Sequence, residues 1–203
     1  EVDVAHRAFE PVIGERERGS LDLLLSLPLT KLELLLGKYL GLAAALAFST
    51  VAGFGLVGVV LSYGIGLTGL LDYAGFILST LLMGLAFLSF ALLLSVLAAS
   101  KVVASGAAIA LWFFYVLVYD LILLGMLVVT EGQYVGGLFP ILLLLNPADI
   151  FRILNIFSLE EVKSLYGLAT VFPATLASPW LLGGAMLFWI LAPLALAYFR
   201  FRK

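Results

Sequence analysis

The sequence predicts an all-α, polytopic transmembrane bundle, and three observations carry that prediction. Of its 203 residues 64% are hydrophobic and only 12% charged, where soluble domains run at about 45–50% and about 25%. Four segments are long and apolar enough to cross a hydrocarbon core of about 30 Å, which takes roughly 20 helical residues. Lys and Arg cluster in the segments that one face of the membrane would hold.

The four predicted spans are 37–65, 73–97, 102–129 and 180–199. The octet 138–145 contains Pro140 and is too short to cross, so it is expected at the outer interface or packed among the spans. Arg7, Arg16, Arg18, Lys31 and Lys38 precede the first span, Lys101 sits between the second and third, and Arg200, Arg202 and Lys203 follow the fourth. Only Arg152 and Lys163 fall on the other side, so nine of the eleven basic residues choose one face. The positive-inside rule then puts both ends in the cytoplasm, as an even number of spans requires. A multi-pass protein of the cell (inner) membrane is the localisation this implies.

The outer segment 131–178 carries Glu131, Asp149, Glu160 and Glu161, and its prolines break it into short helices rather than a separate domain. No cysteine is present, which excludes disulfides, thiol nucleophiles and thiolate metal sites. A net charge of −2 with scattered signs argues against nucleic acid as a partner.

The cytoplasmic stretch before the first span is the most informative. Glu15 and Arg18 are spaced to pair on one helix face, and Gly19 suits the left-handed residue that follows a helix end. Ser20 caps a short Leu-rich helix over 21–27, which Pro28 ends. Thr30 and Glu33 form a T-x-x-E capping box, so the next helix starts near Lys31. From 31 to 65 that helix would run roughly 52 Å, longer than the bilayer core, so its first turns should protrude into the cytosol. The leucines at 21–27 have two readings: an interfacial helix resting in the headgroups, or a knob that fills a groove in a cytosolic protein.

The pattern E-R-E-x-G-S-x-x-x-L-L-x-x-P (Glu15 to Pro28), followed by L-G-K at Leu36 to Lys38, resembles the permeases of the ABC-2 transporter superfamily. ALWFFYVLVYDLILLGMLVVTEG (110–132) and LLLLNPADIFRILN (142–155) resemble the NosY-like branch, whose complexes help assemble the copper centres of nitrous oxide reductase. The resemblance makes 1–203 a permease domain and 15–30 the coupling elbow that docks on a cytosolic, NosF-like ATPase. Glu15, Arg16, Glu17, Gly19, Ser20, Leu24, Leu25, Pro28 and Lys38 are its implied ATPase-coupling residues, with Lys101 as a second contact or a plain topology anchor. It also implies a homodimer and a periplasmic, copper-binding, NosD-like β-helix subunit that meets Asn146, Pro147, Asp149, Arg152 and Asn155. The same polar cluster reads equally as a capped surface turn, with Asp149 and Arg152 paired three residues apart. Family members usually have six spans, two of them before the elbow; residues 1–13 hold five titratable groups and cannot cross, so the expectation is either a fragment or an aberrant start.

Asp120 is the one carboxyl deep inside a span. It should face the bundle interior or a dimer interface, because an acidic group at the bilayer centre costs about 2.5–3.5 kcal/mol. It reads as a switch or ion-pathway residue, or as a structural carboxyl bonded to nearby hydroxyls. Gly53, Gly55 and Gly58 match G-x-G-x-x-G, but inside a charge-free span they serve close helix packing rather than a dinucleotide. No Walker A motif is present, so ATP hydrolysis is assigned to a separate subunit and no catalytic residue to this chain. No cofactor or metal ligand is expected. Cu(I) prefers soft sulfur, and only Met83, Met126 and Met186 could offer it; Met83 and Met186 read as packing residues, and Met126, near the outer end of the third span, is the one methionine placed to touch a metal. The competing reading is an ABC-2 exporter permease for a lipid, drug or glycan. An intramembrane enzyme would need a catalytic partner for Asp120, and a secondary transporter more intramembrane polar groups.

Overall fold

The computed structural model describes residues 30–64, 66–131, 138–158 and 178–202. Every regular element among them is a helix: α1 (Lys31–Leu61), α2 (Gly66–Leu97), α3 (Lys101–Phe113), a π turn (Phe114–Val118), α4 (Tyr119–Val129), α5 (Phe139–Leu144), α6 (Pro147–Ser158) and α7 (Pro179–Arg202). Four stretches are long and apolar enough to span a membrane: α1, α2, the continuous run from α3 to α4, and α7. The elbow expected at 15–30 lies outside the described residues, apart from Thr30.

The start of α1 is set by local chemistry. The Thr30 N–H and hydroxyl donate to Glu33 Oε2 at 2.7 and 2.8 Å, and the Glu33 N–H donates back to Thr30 Oγ1 at 3.2 Å. Two amides that begin the helix unpaired are thereby satisfied. The helix that carries the second span begins at Gly66 rather than at 73. Gly66 takes φ +66°, a left-handed turn that glycine adopts without a Cβ clash. Asp72 lies within α2, as its seventh residue, and does not end the helix. α4 closes on Thr130 and then on Glu131, which takes φ 48°.

The chain divides into two compact units. The first comprises 1–47, 84–112 and 189–203; the second comprises 48–83 and 113–188. In the first, Leu35, Leu92, Ala86, Ala104 and Ala197 are almost fully buried. The Tyr39 hydroxyl donates to Leu85 O at 3.3 Å and receives the Ser89 hydroxyl at 3.2 Å, joining α1 to α2. A Cβ added at Gly84 would lie 2.8 Å from Leu46 Cδ2, so the glycine lets α1 and α2 approach closely without displacing the Leu46 side chain. Lys31 Nζ donates to Arg202 O at 3.4 Å and sits 6.0 Å from the Phe201 ring. The beginning of α1 and the end of α7 therefore share one end of the unit, as an even number of crossings demands.

In the second unit Ile150, Leu182 and Met186 are almost fully buried. Tyr73 donates to Phe54 O at 2.9 Å, and Phe76 packs edge-on against Phe54 at 5.4 Å. Of the G-x-G-x-x-G glycines, only Gly58 shows the expected close approach: a Cβ added there would lie 3.0 Å from the Tyr73 ring, whereas one added at Gly53 or Gly55 would meet nothing within 4 Å.

Candidate functional site

The third span was expected to be one α-helix over 102–129, but it is interrupted. At Phe114–Val118 it widens to a π turn: the Tyr119 N–H bonds Phe114 O, five residues back, instead of Tyr115 O, four back. π turns are rare, and many sit at functional sites. The carbonyls on the wide turn are taken by side chains from α6 and its cap. Asn146 Nδ2 donates to Tyr115 O at 2.8 Å, and Arg152 Nη2 donates to Val116 O at 3.1 Å. One residue beyond the turn, the Tyr119 hydroxyl donates to Leu142 O in α5 at 2.8 Å.

The α5–α6 hairpin that supplies these groups is built for burial. Pro140 sits in the first turn of α5, where its missing N–H leaves no intrahelical bond unmade. Asn146 caps α6: its Oδ1 accepts from the Ala148 N–H at 2.9 Å, and Pro147 takes the first helical position. Asp149, Arg152 and Asn155 recur every three residues and so share a face of α6. Ala148, Ile150 and Ile153 are buried.

That shared face holds a charge cluster. Arg152 Nη1 bonds both Asp120 Oδ2 and, at 2.9 Å, Asp149 Oδ1. Asn146 Nδ2 donates to the other Asp149 oxygen at 2.9 Å. One guanidinium thus serves two carboxylates and a backbone carbonyl, using the forked geometry that arginine offers and lysine lacks. The Asp149 side chain is only 5% exposed, against 37% for Asp120 and 40% for Arg152. Burial first, and then the neighbouring Asp120 charge, push the Asp149 carboxyl up to about 6, against the opposing pull of Arg152 and Asn146. Further along α6, Asn155 Nδ2 donates to Ser79 Oγ on α2 at 3.1 Å and to Phe151 O at 2.7 Å. Among the described residues no buried side-chain nitrogen or oxygen lacks a hydrogen-bond partner.

Two sequence expectations change here. Asp120 looked unpartnered, or bonded to hydroxyls; its partner is Arg152, 32 residues away, which no local spacing reveals. The polar cluster is a capped turn, but a buried one: Asn146, Pro147 and Asp149 are packed within the chain, while Arg152 and Asn155 are half-exposed. The hairpin also resolves the two placements expected for 138–145. Its Asn146 reaches Tyr115, fourteen residues before Val129 and roughly 20 Å along the span at about 1.5 Å per residue, so the hairpin is packed among the spans. Irregular backbone at such a depth is tolerated where protein covers it, as here.

The remaining expected site residues are placed as follows. Lys38 is half-buried on α1, and Lys101 opens α3. Glu15, Arg16, Glu17, Gly19, Ser20, Leu24, Leu25 and Pro28 lie outside the described residues. Met186 is fully buried in packing, and Met83 and Met126 are half-buried. Among the described residues no three His, Asp or Glu side chains group as metal ligands.

Comparison with known proteins gives this geometry a setting. The profile of the ABC-2 family of transporter proteins matches residues 6–203. The "Probable ABC transporter permease protein NosY" of Stutzerimonas stutzeri is 40% identical over 204 residues, covering 97% of this chain and 72% of that protein. The protein of the same name from Pseudomonas aeruginosa is 41% identical over 202 residues, with the same coverage.

Proposed function

Since the chain belongs to the ABC-2 family of transporter proteins and is a NosY-like permease, we propose that it couples a separate cytosolic ATPase to a partner outside the membrane. The likeness to two NosY permeases across 97% of the chain is the observation that carries this reading. The finer assignment is the maturation of the copper centres of nitrous oxide reductase, with a NosF-like ATPase, a NosD-like periplasmic β-helix subunit and a second copy of this chain. It rests on the resemblance of 110–132 and 142–155, the two segments that meet in the π turn and its hairpin.

In this mechanism the elbow at 15–30 is the cytosolic contact, with Leu24 and Leu25 filling a groove of the ATPase. Nucleotide closure moves the elbow and α1, which begins immediately after it at Lys31. On the other face the α5–α6 hairpin is the moving part. Asn146 and Arg152 fix it to the third span, and Asn155 ties it to the second. The periplasmic subunit would read the hairpin's position through the surface it supports. Both termini are cytoplasmic in this reading, in the inner membrane, as nine of eleven basic residues favour.

The test is affinity purification from native membranes in mild detergent, with every co-purifying chain identified and ATP hydrolysis measured. The reading expects an ABC ATPase and a periplasmic β-helix protein, with hydrolysis that this chain stimulates. Co-purification of an ATPase with glycan- or lipid-assembly enzymes instead would favour an exporter. Hydrolysis by this chain alone would contradict both.

A further inference from the structure

We propose that the π turn at Phe114–Val118 is a two-state register switch, held in its wide form by Asn146 and Arg152 and closing to an α turn when the hairpin releases it. The inference rests on the proposed ATP-driven coupling and names the element that would move.

The argument begins with hydrogen bonds. A π turn accommodates an extra residue by skipping the bond to the fourth residue back, and it persists where something else takes up the carbonyls it presents. Here Tyr119 bypasses Tyr115 O, and that oxygen receives Asn146 Nδ2 instead; Val116 O receives Arg152. Both donors belong to one small unit, since Asn146 caps the helix that carries Arg152. Withdrawing that helix would leave Tyr115 O without its side-chain donor at membrane depth. The Tyr119 N–H, four residues on, is the donor that α geometry would supply, and taking it closes the turn to α. Two alternative pairings of the same groups are what a switch requires.

The consequence is geometric. Closing the turn changes the residue count per turn by about one, so the segments on its two sides rotate against each other by roughly 100°. Phe114, Tyr115 and Tyr119 already pack on one another, with centroids 5.5 to 6.3 Å apart, and would have to re-sort in that rotation. Asp120 sits one position beyond Tyr119 and would be swung away from Arg152 by the same movement. Both bonds of Arg152 to the third span therefore report on a single register.

The test uses the complete transporter with its ATPase, in lipid. This chain has no cysteine, so single cysteines carrying a nitroxide can be placed along 103–112 and 121–128. Oxygen accessibility along each scan oscillates with the helical period, with minima expected at the buried Ala104, Ala108 and Leu123. The switch predicts that the phase offset between the two scans differs by about 100° between nucleotide-free and ATP–vanadate-trapped complexes. Asn146→Ser keeps a capping side chain but cannot reach Tyr115 O, and should move the nucleotide-free offset toward the trapped value. An identical offset in both states, from a complex that hydrolyses ATP, would overturn the switch and leave the proposed function standing. Failure of the chain to bind or stimulate any ATPase would overturn the function and, with it, the switch.

Discussion

Arg152 is the residue on which the charge cluster of α6 depends, because it faces two carboxylates at once. Asp120→Asn removes one of them and leaves Arg152 paired with Asp149, so the cost should be about 1 kcal/mol. Arg152→Met instead leaves the nearly buried Asp149 carboxylate without its counter-charge. Breaking a buried pair costs about 3–5 kcal/mol, and with the guanidinium 40% exposed we expect about 2–3 kcal/mol. Thermal denaturation in detergent should thus rank Arg152→Met well below Asp120→Asn; the reverse order would mean that Asp120 is the buried charge. Asp149 also sets a pH dependence. Its folded carboxyl titrates near 6, above the usual carboxylate value of 3.8, so its contribution favours the fold fully below about 3.8 and is lost as pH rises through 6. Asp149→Asn should flatten the decline in stability between pH 4 and 7, and an unchanged slope would assign it to another group. The Asp149–Arg152 pair was legible from its three-residue spacing. The Asp120–Arg152 pair was not, since only the fold brings positions 32 apart in sequence together.

The helix start at Lys31 and the break at Phe114 stand at opposite ends of what local sequence can specify. Thr30 and Glu33 carry their own hydrogen-bonding partners within one turn, so the boundary could be read from four residues. Thr30→Ala should cost about 1 kcal/mol. It should also speed hydrogen exchange at the first amides of α1; unaltered exchange there would show that tertiary contacts, not the cap, hold that end. The π turn offers no such mark. Its sequence, FYVLV, is as apolar as the helix on either side, and its geometry depends on donors from Asn146 and Arg152. The hairpin was half legible: Pro140 and Pro147 announced short helices, whereas its packing among the spans is a tertiary outcome. Gly53, Gly55 and Gly58 look alike in sequence, yet only Gly58 faces a neighbour, which periodicity alone does not decide.

At the scale of the whole molecule, composition was sufficient for the class, while the sidedness rests on charge placement alone. Four apolar stretches of membrane-spanning length appear where the sequence put them, with ends shifted by capping and by Gly66. The meeting of Lys31 with Arg202 at one end agrees with the even parity inferred from basic residues. The sequence carries no Walker A motif, and the claim on which the functional account turns is that Leu24 and Leu25 grip a polypeptide that binds nucleotide. The most direct measurement is co-purification of the ATPase with a Leu24→Asp, Leu25→Asp double variant, alongside a check of its membrane insertion. The account predicts normal insertion and loss of the ATPase by at least tenfold, on the order of the 1.4 kcal/mol or more that two apolar anchors contribute. Undiminished co-purification from a correctly inserted variant would contradict it.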